Sequence, residues 1–133
     1  MKFLSKQFVR WDDLDAMGHV NNAKYLTYAQ EARFLWATEE FSGAMRETSL
    51  IEMVVARAEI DFIAPIYEGG RFVDVEITIG KIGNSSFNMI FTIADKGTIF
   101  AKVMTVQVAV STETMKSRPL TDKEREFLTK YLE

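Results

Sequence analysis

Eleven residues near the start of the chain carry most of its chemical potential: Asp12-Asp13-Leu14-Asp15-Ala16-Met17-Gly18-His19-Val20-Asn21-Asn22. They bring together three carboxylates, a glycine, the only histidine of the chain and two asparagines. An amphipathic helical pattern starts directly afterwards, at Ala23, and runs to about Trp36. Acid groups are thereby set beside the electropositive start of a helix, which can hold an anion or polarise a carbonyl oxygen. A carboxylate next to a polarised carbonyl suits hydrolysis; a solvated acidic loop is the competing reading. His19 alone makes no metal site, and no serine lies in a Gly-x-Ser-x-Gly elbow. The absence of cysteine removes disulfides, thiolate nucleophiles and thiolate metal ligands together.

The elements that must position this segment follow from hydrophobic periodicity. Phe3 to Trp11 reads as a strand. In the helix, Tyr25, Tyr28, Ala29, Ala32, Leu35 and Trp36 recur at spacings of three and four, with Glu31 and Arg33 fitting the opposite side less clearly. Asn21 or Asn22 can cap it. The small Ala29 and Ala32 let a sheet approach closely. Phe41 to Ser49 reads as a loop or broken turn. Val54, Ala56, Ala58, Ile60, Phe62 and Ala64 then form an apolar series at period two, against Arg57, Glu59 and Asp61, which predicts a strand buried on one face and ended by Pro65.

Gly69-Gly70 turns the chain into an alternating strand from Arg71 to Ile79, with Val73, Val75, Ile77 and Ile79 on one side. Gly83-Asn84 leads to a strand carrying Phe87, Met89, Phe91 and Ile93, and Asp95-Lys96-Gly97 to a last strand from Ile99 to Val110. That strand is apolar on both sides from Val106 onward, which suits a central or interface position. Thr121 and Glu124 form a capping box that opens a C-terminal helix, about 121–132. One long helix and five strands joined mostly by tight turns predict an α+β chain, a curved antiparallel five-stranded sheet wrapped around the helix. The uncovered face or edge of such a sheet calls for self-association.

Composition narrows the function classes. A chain of 133 residues fits one domain, 1–133, with a real core. A formal net charge of -3 supplies no basic stripe for nucleic acid. No segment approaches the ~20 apolar residues of a membrane helix, and Met1 to Arg10 lacks the apolar run of a signal peptide. The expectation is a cytoplasmic protein with no membrane insertion.

The whole pattern resembles the hot-dog fold thioesterases, in particular the 4-hydroxybenzoyl-CoA thioesterase-like family of small acyl-CoA hydrolases. The resemblance rests on the run Asp13 to Asn22, on Tyr25, and on Glu31-Ala32-Arg33. It continues in Ile60-Asp61-Phe62 with Pro65, in Gly69-Gly70, and in Lys81-x-Gly83 followed by Ser85-Ser86-Phe87. It implies that Asp15, three residues before Gly18, is the catalytic carboxylate, acting as nucleophile or as general base. It also implies that the backbone amide of Asn22, with Asn21 beside it, polarises the thioester carbonyl. Gly18 would allow close backbone approach, His19 would hold the loop or orient Asp15, and Tyr25 would reach the acyl group.

Lys81, Asn84, Ser85 and Ser86 correspond to a region that meets the nucleotide end of coenzyme A in the family, and Arg57 is a lesser candidate. Homodimers or homotetramers with sites at subunit interfaces are implied too, with acyl-CoA as substrate and no metal or separate cofactor. Asp12 and Asp13 read as solvated or bonded to the loop backbone. Glu31 reads as a pairing or interface residue. Phe34, Trp36, Phe41 and Phe62 are core residues that could also line a pocket. Two alternatives stand beside acyl-CoA hydrolysis: a thioesterase for acyl groups on acyl carrier protein, and a hot-dog protein that binds acyl thioesters without cleaving them. A hot-dog dehydratase fits poorly, since His19 lies in the loop.

Overall fold

The computed structural model describes residues 1–40 and 52–133. The loop expected at 41–49, with Phe41, lies outside the described residues. Among the described residues, five strands and two α-helices follow in order: β1 (Phe3–Val9), α1 (Lys24–Glu40), β2 (Met53–Phe62), β3 (Arg71–Ile82), β4 (Ser86–Asp95), β5 (Thr98–Ala109) and α2 (Asp122–Thr129). The strands form one sheet in the order β1-β3-β4-β5-β2, and every neighbouring pair is antiparallel. This is the hot-dog fold: α1 lies on the inner face of the sheet, over β1, β3 and β5.

The inner face is built from the alternating side chains of β3 and β4. Val73, Val75, Ile77, Ile79, Phe87, Met89, Phe91 and Ile93 are all buried, as period two requires. Tyr25, Tyr28, Ala29, Ala32, Trp36 and Ala37 of α1 meet them. The helix departs from its expected face at two positions: Leu35 is exposed, while Arg33 is buried. It also runs a turn beyond Trp36. At that end the Trp36 ring packs against Phe127 and Tyr131, which fixes α2 onto α1. The capping box forms as expected, Glu124 N donating to Thr121 Oγ1 at 3.1 Å and Thr121 N to Glu124 Oε1 at 2.8 Å. The free edge of β3 beyond β1 is closed by the C-terminal residues, with Ile79 N donating to Tyr131 O and Glu133 N to Ile79 O.

β1 ends at Val9, short of Trp11. The chain turns there in a short 3-10 helix, Trp11–Asp13, that sets the Trp11 ring over Gly69 and Gly70. A Cβ on Gly69 would stand 2.8 Å from Trp11 Cα, so only glycine allows this contact.

β2 corrects the expected pattern. A bulge between Val55 and Arg57 shifts its pairing with β5. Val55 pairs with Gln107 and Ala58 with Thr105, both partners buried on the inner face. The inward series is therefore Met53, Val55, Ala58, Ile60 and Phe62, and Val54 belongs to the outer side. The expected burial of one face is also absent in the single chain: Val55 is 49% and Phe62 54% exposed. The cause is position. β2 is the edge strand, and α1 lies over β1, β3 and β5 on the same inner face, so an open cleft runs between α1 and β2. β5 is central, between β4 and β2. The stretch from Val106 onward is not apolar on both sides, because Gln107 is buried on the inside.

Candidate active site

The loop from Asp13 to Asn22 is folded by its own backbone. Leu14 and Val20 bridge antiparallel. Asp15 N donates to His19 O at 2.9 Å, and Gly18 N to Asp15 O at 3.0 Å. The chain reverses at Gly18 with φ +76, a left-handed value that favours glycine although a Cβ would touch nothing. Val20 N donates to Ile66 O and Asn21 N to Asp13 O, which ties the loop to the segment after β2 and to its own start. Asn21 Oδ1 accepts from Ala23 N at 3.0 Å and Asn21 O from Lys24 N, so Asn21 is the residue that caps α1. Asn22 N, at the same turn, donates to no acceptor among the described residues.

Two aspartates of the loop have different surroundings. Asp13 is buried; its Oδ2 accepts from Tyr28 Oη at 2.7 Å and from Arg10 N at 3.0 Å. Its Oδ1 accepts no hydrogen bond but faces Arg10 Nη2 at 3.5 Å and Lys24 Nζ at 3.8 Å. Burial alone would raise the carboxyl pKa; the Tyr28 and Arg10 hydrogen bonds and the two cations outweigh it and hold Asp13 below the usual range. Burial first, and the Asp13 bond second, push the Tyr28 phenol far up, so it stays a donor.

Asp12 is exposed. Asp15 is half-buried, and only Oδ1 is engaged, accepting from Met17 N at 2.9 Å; His19 Nδ1 stands 3.8 Å away, beyond hydrogen-bond reach. The Asx turn leaves Asp15 Oδ2 without a protein donor among the described residues.

Asp15, His19, Val20, Asn22 and Tyr25 line one side of a cavity of about 340 Å³, and Phe62, Ile63, Ala64 and Pro65 the other. The Tyr25 ring meets Phe62 edge-on at 5.3 Å, and burial pushes its phenol pKa up. The cavity thus has an apolar wall, a carboxylate with a free oxygen, and a free amide at a helix start. Among the described residues, no group of three or more His, Cys, Asp or Glu could hold a metal ion, and no helix is long and apolar enough to cross a membrane.

The family model of the thioesterase-like superfamily matches residues 9–128. The chain belongs to that superfamily. Its relatives include a 1,4-dihydroxy-2-naphthoyl-CoA hydrolase of Rippkaea orientalis, 28% identical over 127 residues, with 90% of each chain covered. A thioesterase of Thermus thermophilus solved with coenzyme A and zinc is 31% identical, with 96% of this chain and 92% of that one covered and a TM-score of 0.82. A predicted thioesterase of Bacillus stearothermophilus is 25% identical, covering 100% and 98%, with a TM-score of 0.86.

Of the residues singled out in this superfamily member, Asp15, His19, Asn22 and Tyr25 share the cavity, while Gly18 and Asn21 belong to the same loop without lining it. Lys81, Asn84, Ser85 and Ser86 do not join them. They lie at the opposite end of the twelve-residue β3, where Ser86 pairs with Val108. Arg125 Nη2 holds that turn through the carbonyls of Gly83 and Asn84. Arg57 points to the outer side and pairs with Glu59. Of the aromatic candidates, Phe62 lines the cavity, Trp36 is core, and Phe34 lies under the Arg33 guanidinium. Sequence reasoning missed the Asp13–Tyr28 bond; the one signal for it was Tyr28 on the buried face of the helix.

Proposed function

We propose that the protein is an acyl-CoA thioesterase that cleaves its substrate with Asp15 and the Asn22 amide. Water adds across the acyl–sulfur bond to give a carboxylic acid and free coenzyme A. The thioester carbonyl accepts from Asn22 N, where the helix dipole favours the negative charge that develops on oxygen. Asp15 Oδ2 either takes a proton from the attacking water or attacks the carbonyl carbon itself, forming an anhydride that water then opens. The free Asp15 oxygen and the free Asn22 amide on one cavity carry this reading. The relatives described above support the substrate class. The reaction takes no metal and no separate cofactor, because coenzyme A arrives as part of the substrate.

The proposal extends to a homodimer, with two dimers pairing into a homotetramer as a further step. The open β2 edge, with its exposed inward side chains, supports the first contact. Antiparallel pairing of two β2 strands sets the Met53 end of one beside the Phe62 end of the other. The turn at Asn84, Ser85 and Ser86 lies at the Met53 end, so the partner's Ser85 would move toward this chain's cavity. Lys81, Asn84, Ser85 and Ser86 then serve the coenzyme A moiety of the neighbouring site, with cation and hydroxyl donors suited to phosphate.

Free-thiol release from short, long and aromatic acyl-CoAs tests the reading. Turnover on at least one class is expected, and the 1,4-dihydroxy-2-naphthoyl thioester belongs in the aromatic set. No turnover on any acyl-CoA would overturn it.

A further inference from the structure

Tyr25 and Tyr28 stand one turn apart on the buried face of α1, each 3% exposed. Their hydroxyls have different surroundings. Tyr28 Oη donates to Asp13 Oδ2. Tyr25 Oη donates to no acceptor among the described residues. A phenol buried to this degree ordinarily has a partner, because an unmet donor costs stability. The Tyr25 ring is fixed all the same, meeting Phe62 edge-on at 5.3 Å and Tyr28 at 6.3 Å. Burial outweighs a hydrogen bond from the Ile66 amide and raises the phenol pKa, so the hydroxyl keeps its proton at neutral pH. That amide engages the oxygen and leaves the proton to be given elsewhere.

The place left for it is the Asp15 cavity, which Tyr25 lines together with Asp15 and Asn22. Tyr25 follows Asn22 by three residues, so both lie on one side of the helix start, and a helical side chain leans back toward the N-terminus. The Asp15 charge also acts on the phenol. One N–H and one O–H, both without a protein acceptor, thus open on the same space beside one free carboxylate oxygen. The tetrahedral intermediate of thioester cleavage carries its charge on oxygen, which a single amide meets only in part.

We propose that Tyr25 is a catalytic residue whose hydroxyl donates to the thioester carbonyl oxygen alongside the Asn22 amide. This rests on the acyl-CoA reading of the Asp15 cavity. The carbonyl π pair moves onto oxygen during the attack and returns when the carbon–sulfur bond breaks. The thiolate leaves with the bonding pair and takes up the proton that water releases. Tyr25 keeps its own proton throughout, and its bond to the oxygen is strongest while the oxygen is charged.

The experiment measures kcat and KM across pH for wild type and Tyr25→Phe, on the acyl-CoA that wild type turns over best. It adds the affinities of two non-hydrolysable coenzyme A derivatives: a thioether without the carbonyl, and a trifluoromethyl ketone whose hydrate mimics the tetrahedral intermediate. In Tyr25→Phe, kcat is expected to fall about 10²- to 10³-fold, the usual cost of losing one oxyanion donor, with KM little changed. The ketone should lose affinity and the thioether should not. The acid limb of kcat/KM should stay in place. A third protein carries 3,5-difluorotyrosine at position 25, which keeps the ring and the hydroxyl but ionises more easily. Its kcat should hold on the acid side and fall on the alkaline side, where the phenol loses its proton.

An unchanged kcat in Tyr25→Phe would overturn the proposal. So would a rise in KM alone, which would make the hydroxyl a binding contact, or a displaced acid limb, which would make Asp15 its acceptor. If Tyr25→Phe melts well below wild type, the difluorotyrosine profile decides, and the lack of an alkaline fall counts against the proposal. No turnover by wild type would sink the thioesterase reading. A ketone that wild type then still holds more tightly than Tyr25→Phe does, with equal thioether binding, would leave the Tyr25 contact standing.

Discussion

Asp13 and Asp15 are the same residue type two positions apart in one loop, and the fold gives them opposite surroundings. The Asp13 side chain is 1% exposed, bonded by Tyr28 and Arg10 N and flanked by two cations. The Asp15 side chain is 31% exposed, has one oxygen bound to its own loop and keeps the other free. The buried carboxylate has its charge answered by protein groups and acts as a fastener between the loop, β1 and α1. The half-exposed one keeps an acceptor in reserve, which is what a base or nucleophile needs. Exposure and unused hydrogen-bonding capacity separate the two side chains; the residue type does not.

The comparison breaks first at Asp13. Asp13→Ala leaves the buried Tyr28 hydroxyl without its acceptor and two cations without their counter-charge. A loss of about 3–5 kcal/mol in folding stability is expected, read as a shift of the denaturation midpoint in urea. A midpoint at the wild-type value would mean that the buried network fastens nothing.

Tyr28→Phe is a smaller and sharper cut. It removes one charge-assisted hydrogen bond, worth about 1.5–3 kcal/mol, and leaves the ring packing in place. It also has a pH signature. Asp13 titrates lower in the folded chain than its ordinary value of 3.8, so its contribution to stability is fully present above about pH 4 and is lost as the pH falls through the depressed folded value. Tyr28→Phe raises that folded value, so the acid-side decline in melting temperature below pH 4 should be shallower than in wild type. Parallel declines for the two proteins would show that Tyr28 does not set the Asp13 charge.

Much of this was readable before the structure. The alternation in β3 and β4, the turns between them, the capping box of α2 and the motif before α1 all place as their residues indicate, because each depends on local spacing. The remaining features depend on position in three dimensions. The bulge after Val55 moves one residue out of register, and the sequence does not mark it, since Val54, Val55 and Ala56 are apolar in both phases. The exposure of β2 follows from its place at the sheet edge, which strand composition does not state.

Arg33 in place of Leu35 on the buried side of α1 contradicts simple amphipathicity, and its partner Gln107 is 74 residues away in sequence. The separation of Lys81, Asn84, Ser85 and Ser86 from Asp15 is a matter of sheet length. The motif reading grouped residues by their chemistry, and the single chain holds them at opposite ends.

The most direct measurement is free-thiol release by Asp15→Asn beside wild type, on the acyl-CoA that wild type turns over best, with thermal denaturation of both. The account predicts a drop in kcat of roughly 10²- to 10⁴-fold at an unchanged melting temperature, because the Asp15 oxygen that would react holds no part of the fold. An Asp15→Asn protein that keeps wild-type turnover would contradict it.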